Sequence, residues 1–217
     1  MKKQNLSRDK IYSIYKGKLA KKYDFSLPPF FASWKKKAIN ESSLKKGDKV
    51  LVFCCGTGLD FPHIMDKIGE KGSITGIDFS SDMLEAARKK VEKNNWKNVQ
   101  LIEGDITRFE GLQGEKADVG ICTLGFSIIP EYQKAYNNLY NHVKDGGEII
   151  VSDMQLADGW QAIFNPVTIL MARKFGGSYE GHKNSMEIIG RMEKELVSVS
   201  KKEYFLKAYY YCRGKKR

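Results

Sequence analysis

The sequence lacks any apolar run approaching the roughly 20 residues that cross a bilayer, and its start, MKKQNLSRDK, lacks the apolar stretch of a signal peptide. We therefore expect an intracellular protein of the cytoplasm. Only 4 cysteines occur among 217 residues, at positions 54, 55, 122 and 212, without C-x-x-C spacing. This pattern disfavours a disulfide framework and a zinc site, so we expect reduced thiols and no metal.

Several enzyme signatures are also missing. The chain has no P-loop, no G-x-S-x-G nucleophile elbow and no internal repeat. The turn Gly56-Thr57-Gly58 is followed by Phe61, where the fingerprint of a nicotinamide dehydrogenase requires a small residue. These absences disfavour P-loop nucleotide hydrolases, α/β-type serine hydrolases and dinucleotide dehydrogenases.

The composition indicates a folded domain with basic ends. The chain is 41% hydrophobic, 12% aromatic and 29% charged, which suits one α/β domain of roughly 200–250 residues. The net charge is +11, with +9 in residues 1–40 and +6 in residues 201–217. Basic ends of this kind are compatible with a solvated surface, an anionic membrane surface, RNA or an acidic substrate.

Short apolar runs alternate with helical patterns through the middle of the chain, which predicts a Rossmann-like, doubly wound parallel sheet. A basic amphipathic helix is expected over residues 9–22, and a second helical stripe follows Pro28-Pro29. We divide the single predicted domain as follows: an N-terminal helical cap (1–46), a ligand-binding core (47–153), a helical insertion (154–192) and a terminal β-hairpin (193–217).

The first strand, KVLVFCC, runs into the glycine turn, and this is where a doubly wound sheet binds its ligand. Glycines let a ligand approach the backbone, and the amides of the following helix favour an anionic group. Asp78 ends the second strand about 20 residues later, where a carboxylate can accept the ribose hydroxyls of a nucleoside. After the third strand, Asp105 is placed to accept from an adenine amino group, with Ile106 and Met83 against the ring.

Four segments together carry a resemblance: VLVFCCGTG, GIDFSSDML, EGDIT and VKDGGEIIVSD, within residues 47–153. This series resembles the motifs of class I S-adenosylmethionine-dependent methyltransferases. The residues Tyr23-Asp24 and Trp34-Lys35 ahead of the first motif look most like the branch of ubiquinone and menaquinone C-methyltransferases and small phospholipid methyltransferases. The resemblance implies a seven-stranded sheet whose last strand is antiparallel, with S-adenosylmethionine as cofactor and S-adenosylhomocysteine as product.

The resemblance also implies roles for individual residues. Cys55, Gly56, Thr57 and Gly58 would line the methionine moiety, and Asp78 with Phe79 the ribose. Met83, Asp105 and Ile106 would surround the adenine, and the floor beneath the sulfonium would be formed by Thr123, Leu124 and Phe126. The candidates on the acceptor side are Tyr15, Tyr23, Trp34, Tyr179 and His182, together with an apolar cap formed by Phe30, Phe31, Trp34, Ile163, Phe164, Ile169, Leu170 and Met171. The pattern identifies no catalytic residue; Asp153, Tyr179 and His182 are candidates for a base.

The first motif departs from the family pattern V-L-D-x-G-x-G-x-G. Val52 stands where the acidic residue is expected and Cys54 replaces the first glycine. Asp60 is a candidate substitute for the missing carboxylate, and Cys54 indicates either a bulkier turn or a negative φ.

Three hypotheses stay open at this point. The first is a methyltransferase for a small or lipid-like acceptor, in peripheral contact with an anionic membrane. The second is an RNA or protein methyltransferase that grips its substrate with the basic ends, and the third is a non-catalytic binder. Both a monomer and a homodimer are compatible with the sequence.

Overall fold

A central sheet with helices on both faces is built by the residues that the computed structural model describes, 7–26, 29–111 and 115–217. The strands are β1 Lys49–Phe53, β2 Ser73–Asp78, β3 Val99–Glu103, β4 Ala117–Thr123, β5 Val143–Met154, β6 Leu196–Tyr204 and β7 Tyr209–Lys216. The helices are α1 Arg8–Ile14, α2 Lys18–Ser26, α3 Pro29–Asn40, α4 Phe61–Ile68, α5 Ser81–Lys93, α6 Tyr132–His142, α7 Asn165–Ala172 and α8 Tyr179–Glu195. Two 3-10 helices, Gly159–Phe164 and Arg173–Phe175, flank α7.

The strand order is β3-β2-β1-β4-β5-β7-β6. Strands β1 to β5 are parallel, whereas β7 lies antiparallel between β5 and β6. This arrangement confirms the predicted fold class, including the antiparallel last strand and the terminal hairpin. The order reverses between β1 and β4, which places the switch-point crevice at the carboxyl ends of β1, β2 and β4.

Strand β1 is buried on both faces. Leu51 and Phe53 pack into the apolar cluster that contains residues of α6 and α8, whereas Val50 and Val52 pack with residues of α3 and α4. Burial on both faces explains why the strand is continuously apolar rather than alternating. Val52 is 1% exposed, so the position where the family pattern has an acid belongs here to the hydrophobic core.

The predicted helix over residues 9–22 is wrong, because two helices occupy this segment. Helix α1 ends at Ile14, Gly17 takes a left-handed φ of +70°, and α2 begins at Lys18. The apolar spacing continues across the break, and for this reason periodicity alone did not reveal it. Both helices pack against the first turn of α5 and the loops after the strands through a cluster of Ile11, Tyr15, Ala20, Tyr23 and Met83.

The insertion after β5 consists of short pieces rather than one long apolar helix. Helix α7 lies between the two 3-10 helices, and α8 follows after Ser178, whose side chain caps it by accepting from the Gly181 N–H. The outer surface of α7 is apolar, with Val167, Leu170 and Met171 about half exposed or more. Among the described residues, no helix combines the length and apolarity required to span a membrane. The division into segments at residues 46, 153 and 192 stays a prediction.

Candidate functional site

The turn after β1 combines three left-handed residues. Cys54 has a φ of +52°, Gly56 of +54° and Gly58 of +69°, so the alternative of a negative φ at Cys54 is wrong. A Cβ on Gly56 would lie 3.1 Å from Met83 Cε, and one on Gly58 would lie 2.6 Å from Phe61 Cδ2. Gly58 therefore lets the start of α4 pack against the turn, and it does not line the pockets described below.

Asp78 ends β2 with its carboxylate directed at this turn. Oδ2 accepts from the Gly56 N–H at 2.8 Å and Oδ1 from the Ser80 N–H at 3.0 Å. Burial raises the pKa of Asp78 to about 6, although these backbone hydrogen bonds oppose the shift. Each carboxylate oxygen can accept a second hydrogen bond, and Asp78 lines two adjoining pockets. The residue thus offers unused acceptor capacity to a ligand.

The first of these, the outer pocket, has a volume of about 80 Å³ and is lined by Arg8, Asp78, Phe79, Asp105 and Ile106, among others. Asp105 Oδ1 accepts from the Thr107 N–H at 2.9 Å and from its hydroxyl at 2.8 Å. Its Oδ2 lies 2.7 Å from the Arg8 guanidinium, which also reaches Glu131. Arg8 of α1 therefore closes the crevice at the outer pocket.

The second, the inner pocket, has a volume of about 40 Å³ and lies over the glycine turn. Most of its lining comes from the turn (Cys54, Cys55, Gly56, Thr57), the carboxyl end of β4 (Thr123, Leu124) and the N-terminal helices (Tyr15, Tyr23, Lys35), and Leu59, Asp78, Phe79, Met83 and Ile128 complete it. The Thr57 hydroxyl donates to Asp24 of α2. The N-terminal cap thus contributes directly to the site.

A buried charged group stands at the inner pocket. Lys35 Nζ lies 3.1 Å from Asp60 Oδ2 and 2.9 Å from Thr123 Oγ1, which in turn donates to Asp60 Oδ2 at 2.6 Å. The Lys35 and Asp60 side chains are 8% and 5% exposed. Asp60 Oδ1 is buried and has no hydrogen-bond partner in the part of the chain that the structure describes. One ammonium and one incompletely satisfied carboxylate oxygen therefore stand side by side.

A larger apolar cavity of about 280 Å³ adjoins the inner pocket. Phe31, Met154, Leu170, Met171 and Phe175 form much of its wall, and Ser127, Thr168 and His182 are its polar members without a formal charge. Tyr15, Tyr23, Leu124 and Ile128 line both the cavity and the inner pocket. Cys54, Asp78, Phe79 and Ile128 line both the inner and the outer pocket. The three spaces therefore form one continuous row.

Several predicted positions fall elsewhere in the structure. Met83 lies at the inner pocket against Gly56 rather than beside Asp105, because α5 begins at Ser81 and brings its first turn over the glycine turn. Phe126 is fully buried and packs against Tyr136 in the core. Trp34 stacks on Tyr204 and Tyr209 outside the apolar cavity.

Three further predictions on the acceptor side concern Tyr179, Ile163 with Phe164, and Phe30. The Tyr179 ring contacts Lys183 and does not line the apolar cavity. Ile163 is 70% exposed and Phe164 packs on Trp160, so of the cap residues whose side chains the structure describes only Phe31, Leu170 and Met171 line the cavity. The side chain of Phe30 lies outside the described part of the structure.

Asp153, a candidate base, is fully buried and already bonded. Oδ1 accepts from the Ser127 hydroxyl at 2.5 Å and the Met154 N–H at 2.7 Å, and Oδ2 accepts from the Ser127 N–H at 2.9 Å. Burial raises its pKa to about 6. Its contacts hold the segment after β4 in place, and Ser127 rather than Asp153 lines the cavity.

Sequence reasoning missed Lys35 and Arg8 as site residues. For Lys35 a signal existed: Phe31, Lys35 and Ile39 follow each other at intervals of four, which places the lysine on the buried stripe of α3. A charged residue on such a stripe needs a partner, and Asp60 is that partner. No local pattern indicated that Arg8 would reach Asp105, 97 positions away.

Comparison with known proteins agrees with this fold. A methyltransferase-domain family model matches residues 44–196. A demethylmenaquinone methyltransferase of Listeria welshimeri is 29% identical over 173 residues, covering 77% of this chain and 72% of the relative. One from Bacillus cereus is 26% identical over 213 residues, covering 92% and 88%. A crystal structure of an S-adenosylmethionine-dependent methyltransferase from Aquifex aeolicus superposes with a TM-score of 0.65 at 18% identity, covering 98% of this chain and all of the other.

The protein belongs to the methyltransferase-domain family and is a class I S-adenosylmethionine-dependent methyltransferase. This assignment confirms the sequence-based resemblance and the predicted enzyme class and cofactor.

Proposed function

We propose that the protein methylates a ring carbon of a lipid-like hydroquinone of the demethylmenaquinone type. The observation that carries this proposal is the apolar cavity, which continues directly from the donor crevice and has room for a fused aromatic ring. The names of the relatives from Listeria and Bacillus support a quinone-related acceptor.

The residues of the crevice fit S-adenosylmethionine. Asp78 would accept from the ribose hydroxyls, and the outer pocket around Asp105 and Ile106 would hold the adenine. Lys35 would bind the amino-acid carboxylate, and the unpartnered Asp60 Oδ1 would accept from its ammonium group. In this proposal, the Lys35–Asp60 pair takes over the role of the acid that Val52 replaces.

The bound cofactor would supply a methyl group on a positively charged sulfur. The protein's own contribution is to exclude water and to align the acceptor, because methyl transfer is an in-line displacement. Tyr15 and Tyr23 stand where the inner pocket meets the apolar cavity. Their rings would shield the reacting atoms from solvent, with Tyr15 fixed by donating to the Phe175 carbonyl at 2.8 Å.

Helices α1 and α2 are expected to move when the donor binds. The outer and inner pockets, about 80 and 40 Å³, are smaller than the roughly 300–1,000 Å³ typical of small-molecule sites. Several of the contacts that hold these helices to the site are exposed polar pairs, among them Arg8 with Asp105 and the Gly17 N–H with Asp82 at 2.7 Å. Exposed pairs of this kind contribute little stability.

Hydrogen exchange tests this movement. Saturating S-adenosylhomocysteine should slow amide exchange in α1 and α2 at least about tenfold, because the helices close over the ligand. Amides of β6, the edge strand that β4, β5 and β7 separate from β1, should be unaffected. Arg8→Ala should speed exchange in α1 of the free protein, because it removes the ion pair with Asp105. Arg108→Ala is the matched control: Arg108 pairs with the same Asp105 carboxylate but is more exposed, and its removal should leave exchange in α1 unchanged. Equal exchange with and without ligand would contradict the closure.

An anionic membrane surface is the docking partner that we propose for the α7 face. Trp160, Ile163, Val167, Leu170 and Met171 are 47–70% exposed, and two of them, Leu170 and Met171, also line the apolar cavity. Phe25, near the end of α2, is 93% exposed. Lys174 donates to the Ser26 carbonyl and so holds the end of α2 beside the segment that follows α7. Arg173 and Lys174 supply positive charge beside this face. A lipid acceptor would thus enter the cavity from the bilayer side.

Vesicle binding tests the membrane contact. Ile163→Glu/Val167→Glu should reduce binding to vesicles containing 30 mol% anionic lipid by about tenfold or more, because each glutamate removes buried apolar area and adds repulsion. Met186→Glu, a similarly exposed apolar position on α8, is the matched control. Binding by the double variant equal to that of the control would reject this surface. Binding to RNA in place of vesicles would favour the alternative of an RNA substrate.

An acceptor screen tests the proposed function. Labelled S-adenosylmethionine would be supplied with a short-chain demethylmenaquinol, phosphatidylethanolamine or ribosomal RNA. We expect label only in the quinol, on carbon. Label in phosphatidylethanolamine or RNA, with none in the quinol, would refute the assignment. The cytoplasm stays the predicted location, and the oligomeric state stays open between monomer and homodimer.

A further inference from the structure

His182 is the one neutral imidazole that lines the apolar cavity, and its environment is unusual. The side chain is fully buried, and neither ring nitrogen has a hydrogen-bond partner among the described residues. A buried polar group without a partner costs roughly 1–3 kcal/mol, so such groups are rare unless a ligand satisfies them. Its backbone N–H is bonded within the first turn of α8, to the Ser178 carbonyl at 3.0 Å. The backbone therefore fixes the residue, while its ring is left for another partner.

The surroundings favour the neutral ring. Burial lowers the pKa of His182 to about 4, and the positive end of the α8 dipole acts in the same direction. The other chargeable groups of the cavity wall are Tyr15, Tyr23 and Lys174. The Tyr15 hydroxyl donates to the Phe175 carbonyl, and Lys174 donates to the Ser26 carbonyl. Burial raises the pKa of Tyr23, which keeps that phenol neutral. A neutral imidazole can accept a hydrogen bond, and the described residues of the cavity wall include no carboxylate that would compete with it for a donor.

We propose that His182 accepts a hydrogen bond from a phenolic hydroxyl of the acceptor and takes its proton when the adjacent ring carbon is methylated. The inference rests on the proposed function, because it requires an aromatic hydroxyl in the cavity. His182 would be a catalytic residue that also selects acceptors carrying a hydroxyl group.

The step balances without any oxidant. The C–S bond of the donor breaks with its electron pair left on sulfur, and a C–C bond forms at the ring carbon next to the hydroxyl-bearing carbon. The phenolic proton passes to His182, and the acceptor becomes a ring ketone. The hydrogen on the methylated carbon then moves through solvent to the ketone oxygen as a proton, which restores the phenol, and His182 releases its proton. One positive charge leaves sulfur as one appears on His182, so the buried site keeps its net charge.

Binding of two unreactive probes tests the proposal separately from turnover. With the protein saturated by S-adenosylhomocysteine, 1-naphthol should bind about tenfold more tightly than 1-methoxynaphthalene, because only the naphthol can donate to the imidazole. His182→Phe should remove this preference. His182→Gln, which keeps an acceptor oxygen, should retain part of it and lower methyl transfer at least about 100-fold. His63→Gln, on α4, should match wild type in both assays.

Imidazole NMR gives a readout that needs no variant at His182. The chain has three histidines, so His63→Gln and a second variant, His142→Gln, assign the His182 signal by elimination. Naphthol should shift the His182 ring nitrogens and methoxynaphthalene should not. Equal affinity of wild type for the two probes, or a His182 signal unmoved by bound naphthol, would overturn the proposal. If neither probe binds, the cavity does not hold an aromatic acceptor, and the proposed function itself fails.

Discussion

Asp78→Asn is expected to weaken S-adenosylhomocysteine binding roughly 100-fold without lowering the stability of the fold. The carboxylate would accept from two ribose hydroxyls, and hydrogen bonds to a charged group contribute about 1.5–3 kcal/mol each. An asparagine keeps the shape but turns an NH₂ group toward the N–H of either Gly56 or Ser80. Because the folded state disfavours the buried charge at pH 7, its removal should leave the unfolding temperature unchanged or slightly higher.

Calorimetric titration and thermal unfolding together check this prediction. Asp66→Asn, an exposed aspartate on α4, is the matched control and should leave both quantities at wild-type values. Wild-type affinity in Asp78→Asn would refute the ribose role. A large loss of stability would instead indicate that the carboxylate mainly organises the turn.

The same carboxylate predicts a pH dependence of donor binding. The pKa of Asp78 is about 6, so below that pH the group is increasingly protonated and loses acceptor strength. Affinity of wild type for S-adenosylhomocysteine should fall about tenfold between pH 7.5 and pH 5, and that of Asp78→Asn should stay nearly level. The sign for stability is opposite. The raised pKa means that the stability contributed by Asp78 is fully present below its unfolded pKa and is lost as the pH rises through about 6.

Lys35→Met is expected to lower the free energy of unfolding by about 3–5 kcal/mol, because it leaves the Asp60 carboxylate buried without its cation. For a chain of this length, that corresponds to a decrease in Tm of roughly 6–20 °C. It should also weaken S-adenosylhomocysteine binding about 10- to 100-fold, since the cation proposed for the amino-acid carboxylate is gone.

The double variant Lys35→Met/Asp60→Asn separates these two effects. Neutralising Asp60 removes the unpaired charge and should restore most of the stability, while binding stays weak. Lys49→Met is the control, because its partner Glu115 is exposed and such pairs contribute less than about 1 kcal/mol. Recovery of affinity together with stability in the double variant would show that the pair serves the fold alone.

Much of the S-adenosylmethionine side of the site could be predicted from local sequence. The turn after β1 and Asp78 at the end of β2 are fixed by chain order, because the carboxyl ends of parallel strands meet at one edge of the sheet. Met83 and Phe126 were assigned to the wrong surroundings because their environment depends on how α5 and the segment after β4 pack. Sequence spacing does not carry that information.

The acceptor side was harder to predict, since it is assembled from segments far apart in the chain. Of the residues predicted on this side, Phe31 and His182 line the cavity, whereas Trp34 and Tyr179 do not. Which face of a short helix turns inward is decided by its partners. Here these partners are the hairpin for α3 and the segment after β4 for α8, where a Cβ on Gly181 would lie 1.8 Å from the Ser127 carbonyl oxygen.

The amino-acid sequence by itself determined the alternation of strands and helices, the glycine turn and the carboxylate at position 78, because each depends on residues close together in the chain. Only the tertiary structure decided that Lys35 meets Asp60 inside the site, that Arg8 closes the outer pocket, and that His182 lines an apolar cavity without a partner. These contacts join residues 25 to 97 positions apart or depend on the walls of a cavity, so they arise from packing and from the need of buried charges for partners.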